Sequence, residues 1–225
     1  MMRRRSWILS AASTLVMARS AWAGVSETDA ASGIRAALEN GAGYAVDMLG
    51  RQDGFLGNPS VRIDLPDALR NAAKLLRATG QGSRVDELIT AMNRAAESAV
   101  PQARSLLVGA VRDMSVEDGL RILRGGDDAA TRFFESKTRE QLGVRFLPIV
   151  KQSTQKVALA AKYNALAGKA AGFGLVKRED ADIDTYVTGK ALDGLYRMIG
   201  EKEKKIRQDP AAAGSALLKR VFGGL

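Results

Sequence analysis

Residues 83–100 read SRVDELITAMNRAAESAV and carry the clearest helical pattern in the chain. Their apolar side chains recur at intervals of three and four residues, which places them on one face of an α-helix: Val85, Leu88, Ile89, Met92, Ala96 and Ala99. Ser83 and Asp86 have the spacing of a capping box and predict that the helix begins at Ser83. A helix with a single apolar face needs other helices to cover it, so this stretch predicts a helical bundle.

The same periodicity extends outward in both directions, and hardly any stretch alternates at two residues. The sequence therefore predicts an all-α, single-domain multi-helix bundle of about eight helices. We expect the first helix to open at Ser32 or Gly33, a hinge near Pro148, and a last small helix from Ala211 to Phe222. Ser115 and Asp118 predict a second capping box.

Residues 51–65 are the exception, a long loop rich in Gly with an Asn-Pro step. Its end, 61–65, reads VRIDL and has the character of a short extended segment. This segment could pair as a short strand.

The first 23 residues have the pattern of a cleavable export signal. A positive start (residues 1–5) is followed by an apolar run (residues 7–18) and by Ala21-Trp22-Ala23, a small-x-small cleavage site. The apolar run is much shorter than the roughly 20 residues that span a bilayer, so the leader predicts removal after Ala23 and leaves no transmembrane anchor. Arg4-Arg5 followed by Ser6-Trp7-Ile8-Leu9 resembles a twin-arginine signal, and an ordinary Sec signal is the alternative.

These boundaries predict an export signal at residues 1–23 and a single helical domain at 24–225, located in the periplasm or secreted. Removing the leader takes away four arginines and no acid, so 34 basic and 25 acidic residues become 30 and 25. The mature net charge is then +5. This excess predicts weak attraction to anionic surfaces and does not have the strength or clustering of a nucleic-acid-binding protein.

The residue types that are missing exclude several kinds of site. The chain contains no His and no Cys. It therefore cannot build a Ser-His-Asp triad, a thiol nucleophile, a c-type haem attachment or an ordinary zinc site. Paired carboxylates, a Ser-Lys couple, Tyr or Lys as acid or base, and a carboxylate-bound Mg²⁺ or Ca²⁺ ion stay open. No fingerprint predicts a cofactor or a metal, and we expect neither.

Two polar clusters are candidate binding residues near helix ends or apolar faces. Asn93, Arg94 and Glu97 lie within one turn beside the apolar face of residues 83–100, where polar groups need partners. They could form a structural ion pair or part of a site. Asp127 and Asp128 predict the N-cap of the following helix, with a cation site or an acid/base pair as the alternative.

Further candidates lie in the C-terminal half. Tyr163 and Asn164, and Tyr186 with Lys190 and Asp193, could line a polar cleft between helices, or could simply pack at helix interfaces. On the exposed side of the last long helix, Glu203 with Arg207 and Glu201 with Lys205 have the four-residue spacing of ion pairs.

One helix carries a basic stripe, since Arg70, Lys74 and Arg77 recur at i, i+4 and i+7. This stripe could meet anionic lipid headgroups or cell-wall polymers. A solvated face of the helix is the alternative.

Several ordered stretches resemble the bacterial family known as domain of unknown function 4197, across about Ile34 to Phe222. They are DGFLGNPSVRIDLP, MNRAAESAVPQA, GGDDAATRFF, FLPIV and YVTGKALDGLYRMIGEKEKKIRQDP. The resemblance implies an exported, helical, single-domain protein. It implies no activity, because the family has no assigned catalytic residues to transfer.

Two functions follow from the sequence, and whether the protein is an enzyme stays open. The first is a non-catalytic binding or scaffold module of the periplasm or envelope, whose partner is an unknown protein or envelope component. The second is a carboxylate-based hydrolase or lyase acting on an anionic envelope polymer, if acids such as Glu97, Asp127, Asp128 and Glu203 converge. No catalytic residue is identified for it.

Overall fold

A computed structural model of the protein describes residues 26–172 and 180–209. The expected leader at residues 1–23 and the expected last helix at 211–222 lie outside these residues. The described helices are α1 (Glu27–Leu49), α2 (Asp67–Ala78), α3 (Gly82–Ala99), α4 (Ala103–Arg112), α5 (Val116–Arg124), α6 (Ala129–Thr154), α7 (Ala158–Gly172) and α8 (Ile183–Gln208). A 3₁₀ turn, Val100–Gln102, joins α3 to α4. The described residues contain no strand, and the predicted all-α fold is confirmed.

The long helices α6 and α8 pack against each other and against α3, and they form the centre of the bundle. Helix α1 packs against α4, α5 and α8, whereas α2 packs mainly on α3. The predicted apolar face of α3 points inward, with Val85, Leu88 and Met92 buried. Burial of such apolar faces stabilises the fold, at roughly 25 cal/mol per Å² of apolar surface removed from water.

Two predicted helix starts are wrong. Helix α1 begins at Glu27, not at Ser32 or Gly33, because Ser26 and Asp29 form a reciprocal capping box nearly two turns earlier. Helix α3 begins at Gly82 and has no side-chain cap. Asp86 instead binds Arg77 of α2, with 2.5 Å between Oδ1 and Nη2, so it is not available to cap Ser83.

The hinge predicted near Pro148 is also wrong, because α6 continues through this residue. Proline removes the amide that would bind the carbonyl of Val144. Val144 is 72 % exposed, so water can satisfy that carbonyl. Phe146 and Val150, on either side of Pro148, are fully buried and anchor this part of the helix in the core.

The strand considered for residues 61–65 does not form. The segment is extended, but its hydrogen-bonding partner is a side chain of α3 and not another strand. Val61, Ile63 and Leu65 alternate into the core, so Arg62 and Asp64 face the other way. The loop of residues 51–65 thus becomes a fixed cover over α3 and α8.

Helix α8 approaches this cover closely at Gly194. A Cβ atom added there would lie 2.7 Å from Cε1 of Phe55 and 3.3 Å from Cβ of Val61. Because the Phe55 ring is fully buried and cannot move aside, Gly194→Ala should lower the free energy of unfolding by about 1–3 kcal/mol. Urea denaturation followed by circular dichroism measures this, with Gly189→Ala as control because a Cβ there meets no neighbouring atom. Equal stability of the two variants would contradict the packing described here.

Candidate functional site

Asn93 holds the extended segment in place. Its Oδ1 accepts the backbone N–H of Ile63 at 2.8 Å, and its Nδ2 donates to the carbonyls of Ile63 at 2.9 Å and Ile89 at 2.8 Å. The side chain is fully buried. One amide thus replaces a neighbouring strand for both backbone groups of Ile63, and its donors and acceptor are used in the fold.

Glu97 anchors the start of the same cover one turn further along α3. Its Oε1 accepts the N–H groups of Phe55 and Leu56 at 3.0 and 3.1 Å, while Oε2 lies 2.6 Å from Nη1 of Arg94. Nη2 of Arg94 also donates a hydrogen bond to Oδ1 of Asp53 at 2.8 Å. The candidates Asn93, Arg94 and Glu97 therefore do lie together, and each binds backbone or an ion-pair partner of the cover.

Asp127 and Asp128 do not cap α6 with their side chains. Asp128 occupies the N-cap position, but its carboxylate lies 2.8 Å from Arg132 and accepts no backbone amide. Asp127 lies exposed in the preceding turn. The predicted N-cap position at Asp128 is confirmed, but the first amides of α6 are bound by Glu203 of α8 and not by the Asp128 side chain.

Glu203 reaches the first turn of α6 from another helix. Its carboxylate accepts the N–H groups of Ala130 and Thr131, both at 2.9 Å, and the Thr131 hydroxyl at 2.8 Å. Arg207 lies 2.9 Å from Oε1 of Glu203 and donates to the carbonyl of Ile122 at 2.8 Å, at the end of α5. The sequence places this pair on the exposed side of the helix, but it is buried.

The Glu203–Arg207 pair therefore caps two helix ends of opposite polarity. An anion meets the amides that begin α6, and a cation meets the carbonyls that end α5, which is the favourable orientation for both helix dipoles. Helix α8 thereby fixes the connection between α5 and α6. This arrangement uses the carboxylate for structure.

Tyr163 and Asn164 of α7 anchor the start of α8. The Tyr163 hydroxyl donates to the carbonyl of Asp180, and the Oδ1 of Asn164 accepts the N–H of Ile183 at 2.9 Å. Burial raises the pKa of Tyr163. Asp182 caps α8 by accepting the N–H of Asp184, so Asn164 and Asp182 satisfy the first amides of the helix while Tyr163 binds the carbonyl before it. Tyr163 and Asn164 do not line an open cleft.

Asp184 is a buried carboxylate at the same helix start. Its Oδ1 accepts the hydroxyl of Thr154. Burial raises its pKa, the Thr154 hydrogen bond lowers it, and the nearby Asp182 raises it further, so that the net shift is upward. Its position two residues after Asp182 would have suggested only another helix-start carboxylate.

This shift predicts how stability depends on pH. Because the folded protein raises the pKa of Asp184, its contribution is complete below the unfolded pKa of about 3.9 and is lost as pH rises through the folded value. Asp184→Asn, which keeps an acceptor for Thr154, should be more stable than wild type at pH 7. The difference should shrink towards pH 4. Denaturation across this pH range tests it, with the exposed Glu201→Gln as control, and a difference independent of pH would contradict it.

Tyr186, Lys190 and Asp193 line a groove along α8, here called the α8 groove. Gly194 and Arg197 complete this face of the helix, Ser60 to Asp64 form the opposite wall, and Arg70 of α2 stands at one end. The Tyr186 hydroxyl donates to the carbonyl of Asp64 at 3.0 Å and so joins the two walls. Burial and nearby acids raise the pKa of Tyr186 to about 12, so it stays a hydrogen-bond donor at neutral pH.

The charges of the α8 groove are exposed, and some have close partners: Asp193 lies 2.6 Å from Arg139, Arg70 lies 3.0 Å from Asp67, and Arg62 donates to the carbonyl of Leu56 at 3.0 Å. Lys190 lies 3.9 Å from Asp193 and 5.7 Å from the centre of the Tyr186 ring, Arg62 lies 3.8 Å from Asp64, and Arg197 lies 3.5 Å from Glu201. Four cations (Arg62, Arg70, Lys190, Arg197) and two acids (Asp64, Asp193) line it, a net charge of +2. Exposed pairs of this kind contribute little to stability.

Sequence reasoning missed Arg62, Asp64 and Arg197. Arg197 falls seven residues after Lys190 and therefore on the same helical face. Arg62 and Asp64 alternate with Val61, Ile63 and Leu65, a pattern that places them on the solvent side of an extended segment. The sequence alone did not show that this extended segment lies beside α8.

The predicted basic stripe of α2 is divided between ion pairs and the groove. Arg70 lines the α8 groove and lies 3.0 Å from Asp67, Arg77 binds Asp86, and Lys74 is exposed. The stripe is therefore not a continuous row of uncompensated charges.

The four acids considered for catalysis do not share a cleft as a set. Glu97 binds the cover and Glu203 binds α6 and Arg207, whereas Asp127 and Asp128 lie exposed near the start of α6. Within residues 26–172 and 180–209, no group of three or more acids is placed to hold a metal ion. No helix in this part of the chain is long and apolar enough to cross a membrane.

The family model described as "Protein of unknown function (DUF4197)" matches residues 24–223. Searches of curated proteins and of solved structures found no match.

Proposed function

Since the chain belongs to the DUF4197 family, whose function is unknown, we propose from its own residues that it is a non-catalytic binding module of the cell envelope that holds its ligand in the α8 groove. One observation carries this proposal: the buried side chains among the candidate residues are engaged in hydrogen bonds within the fold, whereas the charged side chains of the α8 groove are exposed. Asn93, Glu97 and Glu203 spend their hydrogen bonds on the backbone of other elements. The charged side chains of the α8 groove, in contrast, are 43–72 % exposed.

The chemistry of the α8 groove favours binding over catalysis. Tyr186, with its pKa raised to about 12, is a poor base at neutral pH. The Asp193 carboxylate is engaged in an ion pair with Arg139, 2.6 Å away. Open cations of moderate number are suited to an anionic ligand bound reversibly.

The proposed location rests on the leader. We propose that residues 1–23 direct export and are removed after Ala23. N-terminal sequencing of the protein recovered from the envelope should then begin Gly24-Val25-Ser26. Replacing Arg4 and Arg5 by Lys should stop export by the twin-arginine route and leave Sec export intact. Full-length protein retained inside the cell in the wild type would contradict export by either route.

Co-sedimentation with isolated envelope fractions tests the binding proposal. The mature protein should sediment with the envelope, and Lys190→Glu/Arg197→Glu should abolish most of this binding because two open cations become anions. The matched control is Arg132→Glu/Lys137→Glu, an equal charge change in a second basic concavity between α5 and α6. Equal sedimentation of wild type and the α8 variant would contradict the proposal, as would equal losses in both variants.

A further inference from the structure

We propose that the ligand of the α8 groove is a carboxylate-bearing sugar polymer, a proposal that rests on the groove being the binding site. The cations of the groove are spread along its length. Lys190 and Arg197 are seven residues apart on α8, which places their Cα atoms about 10 Å apart along the groove. Arg62 and Arg70 come from the opposite wall and the end of the groove. Cations distributed in this way match an extended chain with repeated anionic groups better than a single compact anion.

The two acids of the groove restrict the chemical class of its ligand. Asp64 and Asp193 lie among the cations, with side chains 72 % and 50 % exposed; Asp193 is also paired with Arg139 at 2.6 Å, whereas Asp64 lies 3.8 Å from Arg62. A ligand with only anionic groups would be repelled by these acids, chiefly by Asp64. A ligand with hydroxyl groups between its anions can donate hydrogen bonds to them, and a charged acceptor strengthens such bonds. Acidic sugar chains combine both groups.

The form of the groove agrees with a linear occupant. One wall is a helix face that presents Tyr186, Lys190, Asp193 and Arg197 in one line, and the other is an extended segment running beside it. The Tyr186 hydroxyl bond to Asp64 fixes the separation of the walls at one point. Lys190 and Arg197 have their carboxylate neighbours 3.9 and 3.5 Å away, so these two cations can turn to a ligand at small cost.

Binding of defined polymers to the mature protein tests the proposal by titration calorimetry at low and moderate salt. Polygalacturonate, which carries a carboxylate and hydroxyls on each sugar, should bind. Its methyl-esterified form should not bind, because it keeps the hydroxyls and loses the charge. Lys190→Glu/Arg197→Glu should weaken polygalacturonate binding at least about tenfold, and Arg132→Glu/Lys137→Glu should leave it nearly unchanged.

Asp64→Asn separates recognition of a sugar polymer from simple charge attraction. If Asp64 accepts ligand hydroxyls through its charge, this variant weakens polygalacturonate binding by about threefold to tenfold and strengthens binding of polyglutamate, which lacks hydroxyls. Tighter binding of both polymers would overturn the proposal, because Asp64 would then only repel anions.

Binding experiments with other anions distinguish competing classes of ligand. Binding of polyphosphate or of phosphatidylglycerol vesicles in preference to polygalacturonate would overturn the sugar assignment. If no defined polymer binds while the α8 variant still loses envelope sedimentation, the ligand class is wrong and the binding function stands. If the α8 variant loses nothing in either assay, the proposed function itself fails.

Discussion

Glu203→Ala should destabilise the protein by about 3–5 kcal/mol, which is the usual cost of breaking a buried ion pair from one side. The substitution removes the acceptor for the N–H groups of Ala130 and Thr131 and for the Thr131 hydroxyl. It also leaves Arg207 with a buried positive charge, although the carbonyl of Ile122 still accepts from it. Equilibrium denaturation in urea measures the loss.

A graded series separates the two contributions. Glu203→Gln keeps an acceptor oxygen for α6 and loses the charge, so we expect a smaller loss, about 1–3 kcal/mol. In a double-mutant cycle with Arg207→Met, the double variant should be more stable than the sum of the two single losses implies, because both members of the buried pair are then removed together.

Glu201→Ala provides the matched control on the same helix. Glu201 pairs with Arg197 at 3.5 Å, and 43 % of its side chain is exposed, so its removal should cost less than about 1 kcal/mol. If Glu203→Ala were no more destabilising than Glu201→Ala, the two-helix cap would not stabilise the fold.

Asn93→Ala should lower the free energy of unfolding by about 2–4 kcal/mol, since it strands both backbone groups of Ile63 in a dry interior, at about 1–3 kcal/mol for each unsatisfied group. The exposed Asn71→Ala on α2 should cost less than about 0.5 kcal/mol. The local readout is hydrogen exchange at the Ile63 amide, which should lose protection in Asn93→Ala and keep it in the control.

The same substitution reaches the α8 groove without changing its charges. Residues 60–64 form one wall of this groove, and Asn93 holds them through Ile63. Envelope binding should therefore weaken in Asn93→Ala at temperatures where the variant is still folded. Unchanged binding, with Ile63 deprotected, would show that this wall does not contribute to the site.

Local sequence patterns predicted the elements well where no distant group competed. The apolar residues of α3 are buried as their spacing indicates, and Ser115 and Asp118 form the capping box that they predict. Ser83 and Asp86 have the same spacing and form none, because Arg77 offers Asp86 a charged partner. A capping bond and such a pair are of similar strength, about 1 kcal/mol or less, so the sequence motif alone could not decide between them.

Prediction of the site was harder, because the site is built by contacts between residues that are far apart in the sequence. Periodicity places Tyr186, Lys190 and Asp193 on one face of a helix, and this much follows from sequence. The opposite wall comes from residues more than 100 positions earlier; the bond between Tyr186 and Asp64 spans 122 residues. Glu203 meets Ala130 across 73 residues. No local signal distinguishes such a buried cap from the exposed ion pair that its spacing with Arg207 suggested.

Chemical-shift mapping tests most directly the claim that the buried polar groups build the fold and the α8 groove binds the ligand. Isotope-labelled mature protein is titrated with solubilised anionic polymer from the envelope, and backbone and side-chain signals are followed. We expect the shifts to concentrate at residues 60–64, Arg70 and the face of α8 from Tyr186 to Arg197. Shifts centred on Glu97 or Glu203, with the α8 groove unchanged, would contradict the account.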